Sequence, residues 1–148
     1  MLQIPREQFD QIVQHGLSGK PLEICGLLAG KREDGAARVQ SIYEVESDDK
    51  SPLTYSMNAA DYMRATKAIE NANLEIVGIY HTHPATEPYP SKTDVARAHW
   101  GDTDDLLFPD YSYLIVSLRD PRNPEPRSFR ITGKQIPEDI AEEEVVVD

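Results

Sequence analysis

The sequence predicts a single α/β domain in which helices pack on the faces of one mixed β-sheet. Stretches with apolar residues at helical spacing alternate with short β-branched runs, in the order helix, two strands, helix, strand, helix, two strands. The chain has 148 residues, 39% hydrophobic and 28% charged, which is the size and composition of one globular domain. No internal repeat or Gly/Ser-rich linker divides it, so one folding unit is expected.

The first half of the chain supplies a helix, a hairpin and a second helix. Residues 5–19 place apolar side chains at helical spacing, with a proline near the start and glycines near the end. Residues 22–30 and 37–47 are strand-like and are joined by KREDGA, which predicts a hairpin. A second helix is expected within residues 54–73, with Asn58 as its N-cap.

The second half supplies three more strands and a third helix. Residues 74–81 are rich in β-branched side chains and too short for a helix, which predicts a central strand. Helical spacing resumes over residues 91–100. Two further strands are expected at residues 111–119 and 127–136, separated by a turn with three prolines.

Acidic residues dominate the charge of the chain and concentrate at its C-terminal end. The formal net charge of −11 argues against nucleic acid as a partner, because nucleic-acid-binding surfaces are basic. Six acidic side chains fall within residues 138–148. The expectation is therefore one domain over residues 1–137, followed by an acidic tail that is solvated or frayed.

The distribution of apolar residues and cysteine indicates the compartment. No apolar run approaches the ~20 residues that a membrane-spanning helix needs, so no membrane association is expected. The N-terminal residues lack the pattern of a secretion signal. Cys25 is the single cysteine, which excludes an internal disulfide and agrees with a reducing compartment. The predicted location is the cytoplasm.

Two histidines stand one residue apart at the end of the predicted central strand, in the stretch IYHTHPATEPYPSKTD (residues 79–94). Side chains two positions apart on a strand point to the same face, so His81 and His83 project together. Pro84 then ends the strand, because it has no N–H for the sheet. The pair can offer two ring nitrogens to one zinc ion.

Asp94 is the natural candidate for a third ligand, because the proline-rich loop returns the chain to the start of the third helix. Two His and one Asp would leave a fourth position for water, as in catalytic zinc sites. The same residues have a structural interpretation, since SKTD also fits a capping box with Ser91 as N-cap and Asp94 at its third helical position. The spacing alone leaves both open.

The pattern His-x-His-x7-Ser-x2-Asp resembles the signature of the JAMM (MPN-plus) zinc metalloproteases, with every spacing intact and the proline after the second histidine also typical. The family motif includes an upstream glutamate on an early strand, and the segment LEICGLLAG places Glu23 there. The similarity extends over most of residues 1–135. The resemblance is to the small stand-alone prokaryotic type of this family.

This resemblance implies one Zn²⁺ per chain, held by His81, His83 and Asp94. It implies that Glu23 acts as general base and later as general acid, and that Ser91 stabilises the oxyanion. It further implies a cytidine-deaminase-like three-layer sandwich and hydrolysis of a peptide or isopeptide bond at the C-terminus of a ubiquitin-like or sulfur-carrier protein. The motif leaves the identity of that substrate, the preference between the two bonds and the oligomeric state open.

Cys25 opens two alternatives, because it shares strand parity with Glu23 and could approach the metal. A closed site of Cys25, both histidines and Asp94 would make the protein a non-catalytic MPN-type binding module with a structural zinc. Alternatively, Cys25 could be the nucleophile of a thiol hydrolase with a histidine as base. A small buried side chain beside a glycine is the interpretation that fits Cys25 best.

Three further features invite an interpretation. Tyr89 and the loop over residues 101–110 are candidate substrate surfaces beside the metal. His99 and Trp100 lie at the end of the predicted third helix, where a packed Trp100 and an exposed His99 are expected.

Overall fold

The computed structural model describes residues 1–148 and contains three helices and one sheet of eight strands. The helices are α1 (Arg6–Gly19), α2 (Ala59–Asn71) and α3 (Lys92–Arg97). The strands are β1 (Leu2–Ile4), β2 (Cys25–Glu33), β3 (Ala36–Val45), β4 (Glu75–His83), β5 (Ser112–Ser117), β6 (Glu125–Ile131), β7 (Ile140–Glu143) and β8 (Val145–Val147). No helix is both long and apolar enough to cross a membrane.

The sheet is mixed, as predicted, and its strand order is β7-β6-β5-β4-β2-β3-β1-β8. Strand β4 lies in the interior, parallel to β5 and antiparallel to β2. Strands β2 and β3 form the predicted hairpin, and its turn at Asp34 and Gly35 has positive φ at both residues. Such a turn matches the twist of the two strands.

Helices pack on both faces of the sheet. On one face, α1 buries Phe9, Ile12 and Val13 against side chains from the interior strands, including Leu28 and Tyr80. On the other face, α2 and α3 cover a second cluster that includes residues of β2, β4 and β5. Because side chains alternate along a strand, neighbouring residues serve opposite clusters, and each fully buried aliphatic side chain stabilises the fold by about 1.5–3 kcal/mol.

The predicted helices are present, but α3 is shorter than residues 91–100. It ends at Arg97, after which the chain turns through Gly101 with positive φ, and His99 forms an isolated bridge with Leu106. The expectation for the two aromatic residues here is wrong. His99 is buried, at 3% exposure, whereas Trp100 is 62% exposed, because the chain leaves the helix before either residue.

The prediction of a frayed C-terminal tail is wrong. Residues 140–147 form β7 and β8, which pair with β6 and β1 respectively, so this one segment joins the two edges of the sheet. Val145 and Val147 pack against the first core cluster. The acidic side chains are exposed or paired, and Glu143 contacts the amino group of Met1, at the other end of the chain, at 3.1 Å. Short strands β1, β7 and β8 were all missed by the sequence pattern.

Candidate metal centre

The candidate site lies where β4 ends beside the segment that precedes β2. The backbone N–H of Thr82 donates to Ile24 O at 3.1 Å, and the Ile24 N–H donates to Thr82 Oγ1 at 3.2 Å. These bonds hold Glu23 next to the end of β4. Glu23 itself lies two residues before β2 rather than on it, and its N–H donates to Ser51 O at 2.9 Å.

The four residues that the sequence predicts as ligands and base come together. One donor atom from each of Glu23, His81, His83 and Asp94 lies within 4.8 Å of the other three, and all four residues are buried. His81 Nε2 lies 3.1 Å from His83 Nε2 and 3.2 Å from Asp94 Oδ2. His83 Nε2 lies 3.3 Å from the same carboxylate oxygen.

These three separations fit a common cation. Ligand atoms about 2.0–2.1 Å from a tetrahedral zinc stand about 3.3 Å from one another. Two ring nitrogens and a carboxylate oxygen are also donors that zinc accepts. The buried Oε1 of Glu23 has no hydrogen-bond partner, so a polar group remains available beside this triangle. The residues present therefore fit a zinc ion held by two histidines and one aspartate.

A backbone contact orients His83. Its Nδ1 lies 2.7 Å from the carbonyl oxygen of Glu87, and since a carbonyl can only accept, Nδ1 carries the proton. The neutral ring then presents the lone pair of Nε2 to the centre. Such a bond to the second ring nitrogen is the usual way in which proteins fix a metal-binding histidine.

Asp94 meets both interpretations that the sequence left open. Ser91 Oγ accepts from the Asp94 N–H at 3.0 Å, and Asp94 Oδ2 accepts from the Ser91 N–H at 2.9 Å, which completes a capping box at the start of α3. The same Oδ2 faces both imidazoles. The cap therefore places the carboxylate, and the capping function does not exclude a ligand.

Burial and neighbouring charges shift the pKa values of Asp94 and His83. Burial alone would raise the pKa of Asp94, but His81, His83 and the Ser91 N–H hold it well below its usual range. Burial opposes charge on His83 as well, yet Asp94 and the Glu87 carbonyl hold the pKa of this ring above its ordinary value. A cation that binds at His83 Nε2 must therefore displace a proton from this ring when the ring is charged.

Glu23 has the environment of a group that exchanges protons. Its side chain is 4% exposed, and burial raises its pKa to about 8, with a further contribution from the nearby Asp94 carboxylate. A carboxyl group whose pKa lies near neutrality can both accept and return a proton. Perturbed carboxyl groups of this kind cluster at functional sites.

Cys25 lies outside the group of four. Its thiol donates to Val45 O at 3.4 Å, and burial raises its pKa to about 12. A thiol in this state is a poor nucleophile and a poor zinc ligand, since both roles require the thiolate. The geometry agrees with the small buried residue that the sequence favoured and speaks against the closed four-ligand site and the thiol hydrolase.

The ligand motif does not predict two contacts that the structure shows beside the site. The ring of Tyr55 stacks on His81 with centroids 4.4 Å apart, and Arg97 of α3 contacts both the Tyr55 carbonyl and Asp49. Arg97 lies three residues after Asp94, so helical spacing alone places the two on neighbouring faces. Nothing in the sequence marks Tyr55, because it reaches the site from a loop.

The two candidate substrate surfaces, Tyr89 and the loop over residues 101–110, pack against different parts of the fold. Tyr89 packs edge-on against Phe129 at 5.4 Å, and the Arg127 guanidinium lies 6.0 Å from the centre of its ring. Phe108, in the loop over residues 101–110, packs beside Tyr62 of α2. Contact of either surface with substrate stays a prediction.

Comparison with known proteins identifies the family. A family model described as prokaryotic homologs of the JAB domain matches residues 5–132, which includes every residue of the candidate site. A CysO-cysteine peptidase from Mycobacterium tuberculosis is 35% identical over 94% of this chain and 88% of its own length. A desampylase from Haloferax volcanii is 34% identical over 78% of this chain and 80% of its own length.

A solved structure agrees with the fold. The solution structure of a protein from Desulfitobacterium hafniense matches with a TM-score of 0.84 and 30% sequence identity, covering 100% of this chain and 93% of that one. The match spans the C-terminal strands as well as the site. The chain therefore belongs to the family of prokaryotic homologs of the JAB domain and is a peptidase of the JAMM type.

Proposed function

We propose that this protein is a zinc-dependent peptidase or isopeptidase that acts at the C-terminal tail of a ubiquitin-like or sulfur-carrier protein. The observation that carries the proposal is the buried group of two histidines, one aspartate and one glutamate within 4.8 Å of one another. Family membership supports it independently. The layered α/β arrangement is also compatible with the cytidine-deaminase-like sandwich that the motif implies.

The chemistry divides between a bound metal and the protein. His81, His83 and Asp94 would hold one Zn²⁺, which supplies Lewis acidity that lowers the pKa of water and polarises a carbonyl. Glu23 accepts the proton of the attacking water and returns it to the leaving amine, consistent with its raised pKa. Both transfers use one carboxyl group.

Ser91 Oγ accepts from the Asp94 N–H and keeps its own proton to donate. That proton can be aimed at the oxyanion of the tetrahedral intermediate, while the cap fixes the position of the oxygen. Ser91 would thereby cap α3 and stabilise the developing negative charge with one side chain.

The proposed substrate rests on the relatives. They include a CysO-cysteine peptidase, two desampylases and a probable TtuB-protein conjugate cleaving protease from Thermus thermophilus. The candidate catalytic residues lie where strands end, since Glu23 precedes β2 and both histidines end β4, and a flexible C-terminal tail would reach them there as an extended chain. The single cysteine is a free, buried thiol, which fits the cytoplasmic location that the sequence predicts.

Metal content and cleavage together test the proposal. Purified wild-type protein should contain about one zinc per chain, and His83→Ala should lose it because one of three ligands is gone. The zinc-loaded wild type should cleave a ubiquitin-like protein that carries a C-terminal extension, and a chelator should abolish cleavage while a thiol-alkylating reagent leaves it intact.

The outcomes separate the alternatives. Wild-type protein that binds no zinc after incubation with it would refute the metal centre. Activity that survives chelation but not alkylation, and that is lost in Cys25→Ser, would establish a thiol hydrolase. Tight zinc binding without cleavage of any ubiquitin-like tail would favour a binding module.

A further inference from the structure

The two histidines of the metal centre are held in different ways. His83 donates from Nδ1 to the Glu87 carbonyl. The corresponding Nδ1 of His81 is buried and has no hydrogen-bond partner. A metal-binding imidazole normally has such a partner, which fixes its tautomer and the direction of its lone pair. The orientation of the His81 ring therefore depends on packing contacts rather than on a hydrogen bond to Nδ1.

Tyr55 provides such a contact. Its ring stacks on the His81 ring with a centroid separation of 4.4 Å and an angle of 29° between the planes. A stacked ring at this distance blocks rotation of the imidazole about its bond to Cβ, so Nε2 stays directed at His83 and Asp94. The stacking itself contributes about 0.5–1.5 kcal/mol beyond the burial of the two rings.

Arg97 fixes the position of Tyr55. One nitrogen of its guanidinium, Nη1, donates to the Tyr55 carbonyl at 2.6 Å and to Asp49 Oδ2 at 2.5 Å. Thr54 Oγ1 donates to the same Asp49 oxygen at 2.8 Å. The Asp49 carboxylate thus ties Arg97 of α3 to the residue that precedes Tyr55.

The loop over residues 46–58 is braced internally as well. Ser47 Oγ donates to Asp49 O and accepts from the Ser56 N–H, both at 3.0 Å, and Asp48 N donates to Ser56 O at 2.7 Å. The two ends of the loop meet where Asn58 N donates to Glu46 O at 2.8 Å. This bracing leaves Tyr55 little freedom to move away from His81.

We propose that Tyr55 is a positioning residue for the metal centre, that it substitutes for the missing hydrogen bond to His81, and that Arg97 and Asp49 hold it in place. The proposal rests on the zinc site described under the proposed function. It gives α3 a double role, because this helix carries Asp94 and, one turn later, Arg97. One helix thereby sets one ligand directly and a second ligand through the Tyr55 ring.

Zinc affinity measures the effect without reference to catalysis. The dissociation constant is obtained by competition with a chromophoric chelator, and loss of an outer partner of a ligand typically weakens metal binding ~10- to 100-fold. Tyr55→Leu should weaken zinc binding at least ~10-fold and alter the visible spectrum of the Co²⁺-loaded protein. Tyr55→Phe keeps the aromatic ring and should therefore retain most of the wild-type affinity for zinc. Leu53→Ala, at an exposed position of the same loop, is the matched control.

Arg97→Met tests the second link and serves if Tyr55→Leu does not fold. The Arg97 side chain is nearly half exposed, so its replacement leaves the core intact. It should weaken zinc binding ~3- to 10-fold in the wild-type background, and should have no further effect when combined with Tyr55→Leu, because both act through one ring.

Two results would overturn the inference. One is a Tyr55→Leu variant whose zinc dissociation constant and Co²⁺ spectrum both equal those of the wild type. If Tyr55→Leu does not fold, the same result in Arg97→Met would overturn the inference. The other is additive losses in the double variant, which would show that Arg97 acts by another route. Wild-type protein that binds no zinc would instead refute the metal centre itself, so the two failures are distinguishable.

Discussion

The metal centre and the C-terminal segment are opposites in composition and in the way the fold uses them. The centre gathers Glu23, two histidines and Asp94 in a buried position, where polar groups are costly unless they are hydrogen-bonded, paired or bound to a metal. Residues 138–148 are mostly acidic, yet their valines and isoleucine join both edges of the sheet. The first region is thus defined by its buried polar side chains, and the second by the apolar side chains that pack against the core.

This difference means that the two regions should fail in different ways. Changes at the centre should remove metal or activity and leave the fold intact. Changes to the C-terminal strands should destabilise the fold, and they should affect activity only as far as the protein unfolds. Four measurements test this separation.

Deletion of residues 138–148 should have the largest effect on stability. It removes β7 and β8 and uncovers the side of the first core cluster on which Val145 and Val147 pack. The loss of partly buried apolar surface and of two strand pairings should cost about 3 kcal/mol or more, equivalent to a drop in Tm of about 10 °C. Thermal unfolding followed by circular dichroism measures it. An unchanged Tm would mean that the segment is dispensable, as the sequence suggested.

Glu23→Gln should leave the fold and the zinc unaffected but slow hydrolysis by at least ~100-fold, because an amide cannot accept the proton of water. Gln has nearly the same shape, so the buried position stays filled. The rate is measured on the extended ubiquitin-like substrate at saturating zinc, with metal content determined on the same sample. Undiminished cleavage would remove Glu23 from the mechanism.

The stability of metal-free protein should also report on Glu23. Its pKa rises from an ordinary 4.5 to about 8 on folding, so the folded state binds more protons between these pH values. The stability that this group contributes is therefore present below pH 4.5 and is lost as the pH rises towards 8. In the presence of a chelator, wild type should lose on the order of 1–3 kcal/mol more than Glu23→Gln between pH 5 and pH 8. Parallel pH profiles would contradict the raised pKa.

The sequence predicts how the three candidate ligands are placed, because the position of each is set locally. Strand alternation places His81 and His83 on one face, and the helix cap places Asp94, so each position follows from neighbours in the chain. Glu23 is distant in sequence and could be assigned only through the family motif. Tyr55 could not be found, because its contact with His81 depends on a loop whose path is fixed by Arg97 and Asp49.

The sequence does not predict the C-terminal strands, for a related reason. Strand β8 pairs with β1 at the opposite end of the chain, and no local pattern encodes a partner at that distance. Strand β7 pairs with the preceding strand β6, but only four residues form it. Three consecutive valines at residues 145–147 are the one local signal for a strand, and the surrounding acidic residues obscured it. An acidic composition is therefore compatible both with a strand that turns one side to solvent and with a disordered tail.

A charge-only change in the C-terminal segment should have the smallest effect. Arg127 pairs with Glu142 through both carboxylate oxygens, at 2.6 and 2.9 Å, across β6 and β7. Both side chains remain at least one third exposed, and exposed pairs contribute about 0.2–1 kcal/mol. Glu142→Gln should therefore lower the free energy of unfolding by less than about 1 kcal/mol in a chemical denaturation experiment, well below the cost of deletion. A loss as large as that of the deletion would mean that charge, rather than the valines and backbone pairing, holds this segment in the sheet.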